Sequence, residues 1–142
     1  MSEAYKIILE KVGHGFWEWN PTTNVIHFSK QWKQMLGYKN DEITNSIDEW
    51  ACRIHPDDFS HCFNELTSFL RGDSEHYRNE HRMLCKDGTY RWVLDQATIA
   101  LRNFDGYPIR VVGTYTDIDE LKSRLEYFKK LHAGVHSVRA TA

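Results

Sequence analysis

Alternation and helical spacing of the apolar positions divide the chain into a short series of elements. Ala4, Ile8 and Val12 share one face, with Ile7 beside them, and predict a helix over residues 3–12 that Gly13 and Gly15 end. FWEWN (16–20) and VIHF (25–28) read as strands joined by the turn PTTN, an N-terminal hairpin with Trp17 and Trp19 on one face. Ser29 is placed to cap a helix carrying Trp32, Met35 and Leu36, with Gly37 as its stop. Residues 41–55 read as short helical turns anchored by Ile43, Ile47, Trp50 and Ile54. HPDD (55–58) opens a longer helix whose apolar face is Phe59, Cys62, Phe63, Leu66, Phe69 and Leu70, up to Gly72.

Three longer strands follow, over about 76–85, 89–102 and 109–116, and a last helix starts near Asp117 or Asp119. The joints are two Asp-Gly pairs, 87–88 and 105–106. The first predicts a type I′ turn, which needs φ > 0 at both central residues. Tyr90, Trp92 and Leu94 alternate with Arg91, Val93 and Asp95. Both sets contain apolar residues, so parity leaves the buried face open. Strands segregated from helices predict an α+β domain with helices over one sheet face.

The 142 residues are 41% hydrophobic and 13% aromatic, a globular composition. A formal charge of −2 gives no field for nucleic acid, and no apolar run reaches the ~20 residues of a membrane span. MSEAYKIILEK is too short and acidic for a signal peptide, and Cys52, Cys62 and Cys85 show no paired spacing. A cytoplasmic domain with free, buried thiols is expected, with neither nucleic-acid binding nor membrane insertion.

GFWEWN, MLGY, IHPDD, KDGTYRWV, RNFDGYPIRVVGT and TDID follow one another in an order that resembles a PAS domain with its PAC segment, over about residues 14–118. The resemblance implies a five-stranded antiparallel sheet in the order 2-1-5-4-3 with helices on one face. It also implies a sensory or dimerising module of the kind found in bacterial sensor kinases and cyclic-di-GMP proteins. The expected division is a flanking helix over 1–13, the PAS/PAC core over 14–118 and a signalling helix with its tail over 119–142. Asp117 matches the family's aspartate at the junction of core and output helix. Asp119 stands where the family has a hydroxyl, and both residue types cap helices.

Other chemistries find less support. There is no Gly-rich phosphate loop, nucleophile elbow or HExxH pattern, and HPDD reads as a capped helix start with solvated aspartates. Cys52, His55, His61 and Cys62 lie close in sequence, as do His132 and His136, but no set completes a metal site, and none is expected. Cys52 precedes Arg53, yet the run continues into His55-Pro56 without the cradle of flavin-reactive relatives. Neither flavin nor haem is expected, the latter although His61 lies on the 57–71 helix.

The expectation is therefore a non-enzymatic sensory and dimerisation module, a homodimer acting on an output domain in cis or in trans. A candidate small-molecule pocket would be lined by Met35, Phe63, Leu66, Trp92 and Val111, with further lining from the strand stretches 77–99 and 109–115. Ile118, Leu121, Leu125, Phe128, His132 and Val135 form a short seam at alternating 3 and 4 spacing, so Leu121, Leu125 and Phe128 are the expected dimer or output contacts. Two alternatives stand beside this: a small-molecule-binding enzyme domain, and a structural interaction domain with a filled core. The C-terminal seam could instead fold back as a cover on its own sheet.

Overall fold

The computed structural model describes residues 14–141, together with Ala4, Ile7 and Ile8, and side chains as far as Gly134. The elements, in order, are β1 (Gly15–Asn20), β2 (Val25–Phe28), α1 (Lys30–Met35), α2 (Ile47–Ala51), α3 (Pro56–Arg71), β3 (His76–Leu84), β4 (Tyr90–Arg102), β5 (Pro108–Asp117) and α4 (Asp119–Thr141). The five strands form one antiparallel sheet in the order β2-β1-β5-β4-β3. The helix expected over 3–12 falls largely outside the described residues; Ala4, Ile7 and Ile8 are helical and exposed.

Helices α1, α2 and α3 cover one sheet face. Trp32 of α1 and Leu36 at its C-cap, Trp50 of α2, and Cys62, Leu66 and Phe69 of α3 pack with Val93, Ala97, Val111 and Tyr115 of the sheet. Ser29 caps α1 as expected, its Oγ accepting from Trp32 N at 3.2 Å and from Phe16 N at 2.9 Å. The first helix is thereby tied to the first strand. At the start of α3 the cap is the imidazole of His55, whose Nδ1 accepts from Asp57 N at 3.0 Å, and Pro56 takes the first helical position.

Several expectations change. On α3, Phe59 and Phe63 are 40% and 41% exposed and stack on each other, although they share the helix's apolar spacing with buried Cys62 and Leu66. The apolar stripe is wider than the sheet and α2 can cover. Asp58, expected to be solvated, is buried, and Cys52 is exposed while the other two cysteines are buried. The Asp87-Gly88 turn is not type I′, because only Gly88 has positive φ, at 86°. Gly88 N donates to Cys85 O at 3.0 Å and Cys85 N to Thr89 O at 2.8 Å. This is a three-residue loop closed by a left-handed glycine. Asn103 and Gly106 repeat the pattern at the next joint, where Gly106 has φ 87°.

The structure also settles the parity of β4. Val93, Asp95 and Ala97 face the helices, while Trp92, Leu94 and Gln96 are half-buried on the opposite face.

Candidate functional site

Strand register places the residues of the site in two rows across the inner face. One row runs Trp17, Gly113, Ala97, Tyr77 over β1, β5, β4 and β3. The next runs Gly15, Tyr115, Asp95, Asn79. The first row has large rings at its ends and the smallest residues in its middle. A Cβ on Gly113 would stand 2.4 Å from Trp17 Cε2, 2.5 Å from Trp17 Cζ2 and 2.6 Å from Gln96 O. The missing side chain lets the Trp17 indole lie across β5. From there Trp17 Nε1 donates to Asp95 Oδ1 at 2.9 Å.

Above these rows lies a cavity of about 20 Å³ with an apolar wall. Its floor is Trp17, Tyr77, Asp95 and Tyr115, its far side Trp19, Ile26 and Phe28, and its roof Ile47, Trp50 and Leu66. Trp19 and Ile47 are the half-buried members, so the mouth lies between the β1–β2 hairpin and α2. In this conformation the space suits about one water molecule.

The polar groups at the floor are unusual in their pairing. Asp95 is 2% exposed, and Trp17 supplies the one side-chain hydrogen bond to its carboxyl among the described residues. Burial pushes its pKa well above the usual carboxylate range, opposed by that indole bond. Tyr77 is equally buried, and its hydroxyl has no hydrogen-bond partner. Burial, and then the Asp95 charge, push its pKa upward as well. Gln31 Oε1 and Trp32 Nε1 are the other buried unpartnered side-chain atoms among the described residues, and neither residue lines the cavity.

Beside this sparse floor runs a fully bonded chain. Asn79 Nδ2 donates to the Glu65 carboxylate and, at 3.1 Å, to His61 Nδ1. A carboxylate only accepts, so this end of Asn79 is its amide nitrogen. Asn79 Oδ1 then accepts from Cys62 Sγ at 3.1 Å and from His81 Nδ1 at 2.8 Å. His81 Nε2, left without a proton, accepts from the Tyr115 hydroxyl at 2.7 Å, and Tyr115 Oη accepts from Trp50 Nε1. The chain has a single polarity and needs a neutral imidazole. Burial provides it, lowering the His81 pKa to about 4. The Cys62 thiol is pushed up to about 12, mainly by burial.

The expected pocket residues are dispersed. Leu66 lines the cavity. Val111 is fully buried but is not part of the wall. Met35 faces a separate groove with His14, Gln34 and Asp117. Phe63 is on the solvent side of α3, its ring 6.3 Å from Trp50. Trp92 is on the outer sheet face, under the Arg82 guanidinium at 5.0 Å and the Lys122 ammonium at 4.6 Å. Exposed Cys52 caps the end of α2 and does not line the cavity. Tyr77, Asp95 and Tyr115 lie within the strand stretches expected to line a pocket but were not singled out there, and Trp17 lies outside those stretches. The available signal was Gly113 and Ala97 inside strands, where small residues mark close approach of other groups.

Asp117 and Asp119 meet at the root of α4. Asp117 Oδ1 accepts from Asp119 N at 2.9 Å and Oδ2 pairs with Arg91 Nη1 at 2.9 Å. Asp119 Oδ1 accepts from Trp92 N at 3.2 Å, and Ile118 N donates to Trp92 O at 3.0 Å. Lys122 Nζ pairs with Glu80 at 2.6 Å. Beyond this root Leu121, Leu125 and Phe128 are exposed, at 55%, 49% and 68%, and do not fold back on the sheet. Among the described residues no cluster of three or more His, Cys, Asp or Glu could hold a metal, and no helix is long and apolar enough to cross a membrane.

The profile of the PAS fold matches residues 25–115. This chain belongs to the PAS-fold family. Its strand order and one-sided helical cover are those of the family. A sensory box histidine kinase/response regulator from Burkholderia thailandensis is similar at 27% identity and TM-score 0.80, with 94% of this chain and 98% of that one covered. The N-terminal domain of a diguanylate cyclase with PAS/PAC sensor from Marinobacter aquaeolei shares the fold at TM-score 0.67 and 24% identity, over 77% and 98% of the two chains. A PAS domain from Colwellia psychrerythraea also shares it, at TM-score 0.65 and 18% identity, over 83% and 97%. Comparison with curated proteins gives no match. PAS modules similar to this one thus occur in proteins named as kinases and cyclases.

Proposed function

We propose that this PAS domain is a non-enzymatic sensory and dimerisation module, in which the state of the core sets the position of α4 and, through it, an output domain of kinase or cyclase type. The observation that carries this reading is the form of α4. Its root is bonded to β4 and β5 through Asp117, Ile118 and Asp119, and beyond the root it carries an apolar seam that its own domain leaves uncovered. Heptad spacing suits that seam to a second copy of the helix, and a seam of fewer than three heptads gives a weak contact that modest forces can shift. The kinase and cyclase named among the similar structures support an output of that class.

Sedimentation velocity with circular dichroism tests both halves. The wild-type chain is expected to dimerise, and Leu125→Asp to be monomeric with an unchanged spectrum. Leu66→Ala enlarges the cavity without touching α4 and should change the dimer constant. A folded Leu66→Ala chain with the wild-type constant would leave a structural interaction domain in place of a sensor.

A further inference from the structure

Two ion pairs that meet over one indole ring connect the helical cover to α4, although α3 and α4 contact opposite faces of the sheet. Building on the sensory reading above, we propose that Glu80, Arg82 and Lys122 form a partner-exchange switch. When α3 withdraws its carboxylates, Arg82 takes Glu80 from Lys122 and so frees the first turn of α4.

The starting arrangement follows from β3 being an edge strand. Glu80 and Arg82 alternate with buried Asn79, His81 and Met83, so both project from the outer face. Arg82 nevertheless reaches Asp58 on the inner-face helix α3, with Nη2 to Oδ1 at 2.9 Å, because no further strand lies in the way. Trp92 is directly opposite Arg82 on β4, and its ring lies under the Arg82 guanidinium at 5.0 Å and the Lys122 ammonium at 4.6 Å. Glu80, two residues from Arg82 on the same strand and face, holds Lys122 at 2.6 Å. One ring thus has two cations beside it, each neutralised by a carboxylate of its own.

The two carboxylates differ in what they are attached to. Asp58, and Asp57 at 4.0 Å from Arg82 Nη2, both belong to the first turn of α3 and move with it. Glu80 belongs to the same strand as Arg82 and stays. A half-buried guanidinium that loses its partner is costly, so Arg82 turns to the carboxylate next along its own face. There it competes with Lys122 on favourable terms, since a planar fork matches a carboxylate better than a flexible, strongly hydrated ammonium does. The trigger is position, not protonation: the Arg82 hydrogen bonds hold the Asp58 pKa down to about 2. Asp117 keeps Arg91 throughout, so the exchange loosens the start of α4 without detaching it.

Amide exchange over residues 122–126 of the intact chain, at one fixed protein concentration, reads the switch. The paired change Asp57→Asn with Asp58→Asn imitates withdrawal of α3 and should speed this exchange about two- to fivefold, the worth of one exposed ion pair. Glu80→Gln should speed it equally, and the two aspartate changes should then add nothing. The deciding variant adds Arg82→Gln to the two aspartate changes. With the competitor gone, Glu80 returns to Lys122 and exchange should slow again to the wild-type rate.

A triple variant that exchanges as fast as the double would overturn the proposal, because α3 would then act by general loosening. So would a double variant exchanging at or below the wild-type rate, with Arg82 held instead by Asp119 or Glu126, the α4 carboxylates in the same groove. Glu80→Gln leaves every bond of α3 in place, and a wild-type rate there overturns the proposal even if the aspartate variants do not fold. The dimer constant of Leu66→Ala touches none of these residues and decides the sensory reading separately.

Discussion

Asp58 receives three hydrogen bonds from Arg82: backbone N to Oδ2 at 2.8 Å, Nε to Oδ2 at 2.9 Å and Nη2 to Oδ1 at 2.9 Å. One carboxylate at the start of α3 thus fixes both the main chain and the side chain of β3. The Arg82 hydrogen bonds lower its pKa to about 2. The same guanidinium lies over Trp92, whose backbone N–H reaches Asp119 at the root of α4. The pair is therefore the first step of a continuous path from a core helix to the last helix.

Asp58→Ala should destabilise the domain by about 1–3 kcal/mol, because it leaves the half-buried Arg82 with only the exposed Asp57 carboxylate at 4.0 Å. In a double-mutant cycle, Arg82→Ala should add little once Asp58 is gone, with a coupling of roughly 1–3 kcal/mol. Urea unfolding of the four proteins measures it, and additive losses would show that the bonds are dispensable.

Gly113→Ala should be among the more damaging single-methyl additions. The new carbon meets the Trp17 ring on one side and the Gln96 carbonyl on the other, and a backbone oxygen held in the sheet has little room to yield. Overpacking of this kind is expected to cost about 1–3 kcal/mol. The displaced indole should also lose its bond to Asp95. A shifted Trp emission spectrum in the folded variant, beside a lower urea midpoint, is the expected signature.

The periodicity of the chain was enough to place the strands, the three covering helices and Gly72 at the end of α3. Ser29 could be read as a cap because its partner, Trp32, is local. The candidate site was far less legible. Asp95 looks like a solvent residue on a strand whose two faces both carry apolar side chains, and only register with β3 and β5 reveals that its neighbours are Asn79 and Tyr115. Trp92 looks like core for the converse reason. An aromatic ring on a strand reads as buried unless one knows that Arg82 and Lys122 supply cations over it. Phe63 follows helical spacing faithfully, yet the stripe it extends is wider than the surface available to cover it. In each case the missing information is which distant residue arrives opposite.

Trp92→Ala should accordingly cost less than a core deletion. Its ring is half-buried and its contacts are two cations, each worth about 0.5–1 kcal/mol in a partly exposed setting. The expected loss is about 1–2 kcal/mol, against ~3–5 kcal/mol for a buried aromatic. The local effect should be larger than the global one. Amide exchange at the first turn of α4 should speed up, because the ring holds Lys122 beside Glu80. A global loss above the core value, with α4 protection unchanged, would put Trp92 in the core after all.

The buried groups of the inner face give stability a pH dependence with two opposing signs. His81 has its pKa lowered from 6.5 to about 4 by burial. Below pH 6.5 the unfolded chain binds a proton that the folded chain refuses, so stability is full above 6.5 and falls as pH drops toward 4. The full loss is roughly 3 kcal/mol at 1.36 kcal/mol per pKa unit. Asp95 acts the other way. Its folded pKa is raised, so its contribution is fully present below 3.8 and declines as pH rises through the range in which only the unfolded chain is ionised. His81→Gln should therefore flatten the acid side of the stability curve, although its midpoint near neutrality is lower from the lost Tyr115 contact. Asp95→Asn should flatten the rise of instability toward higher pH while leaving the acid side steep. Urea midpoints across the acid and neutral range for the wild type and both variants test the assignment. Parallel curves for wild type and His81→Gln would mean that the imidazole is not held neutral, and the one bond free to change direction, between His81 Nε2 and the Tyr115 hydroxyl, would then run from His81 to Tyr115.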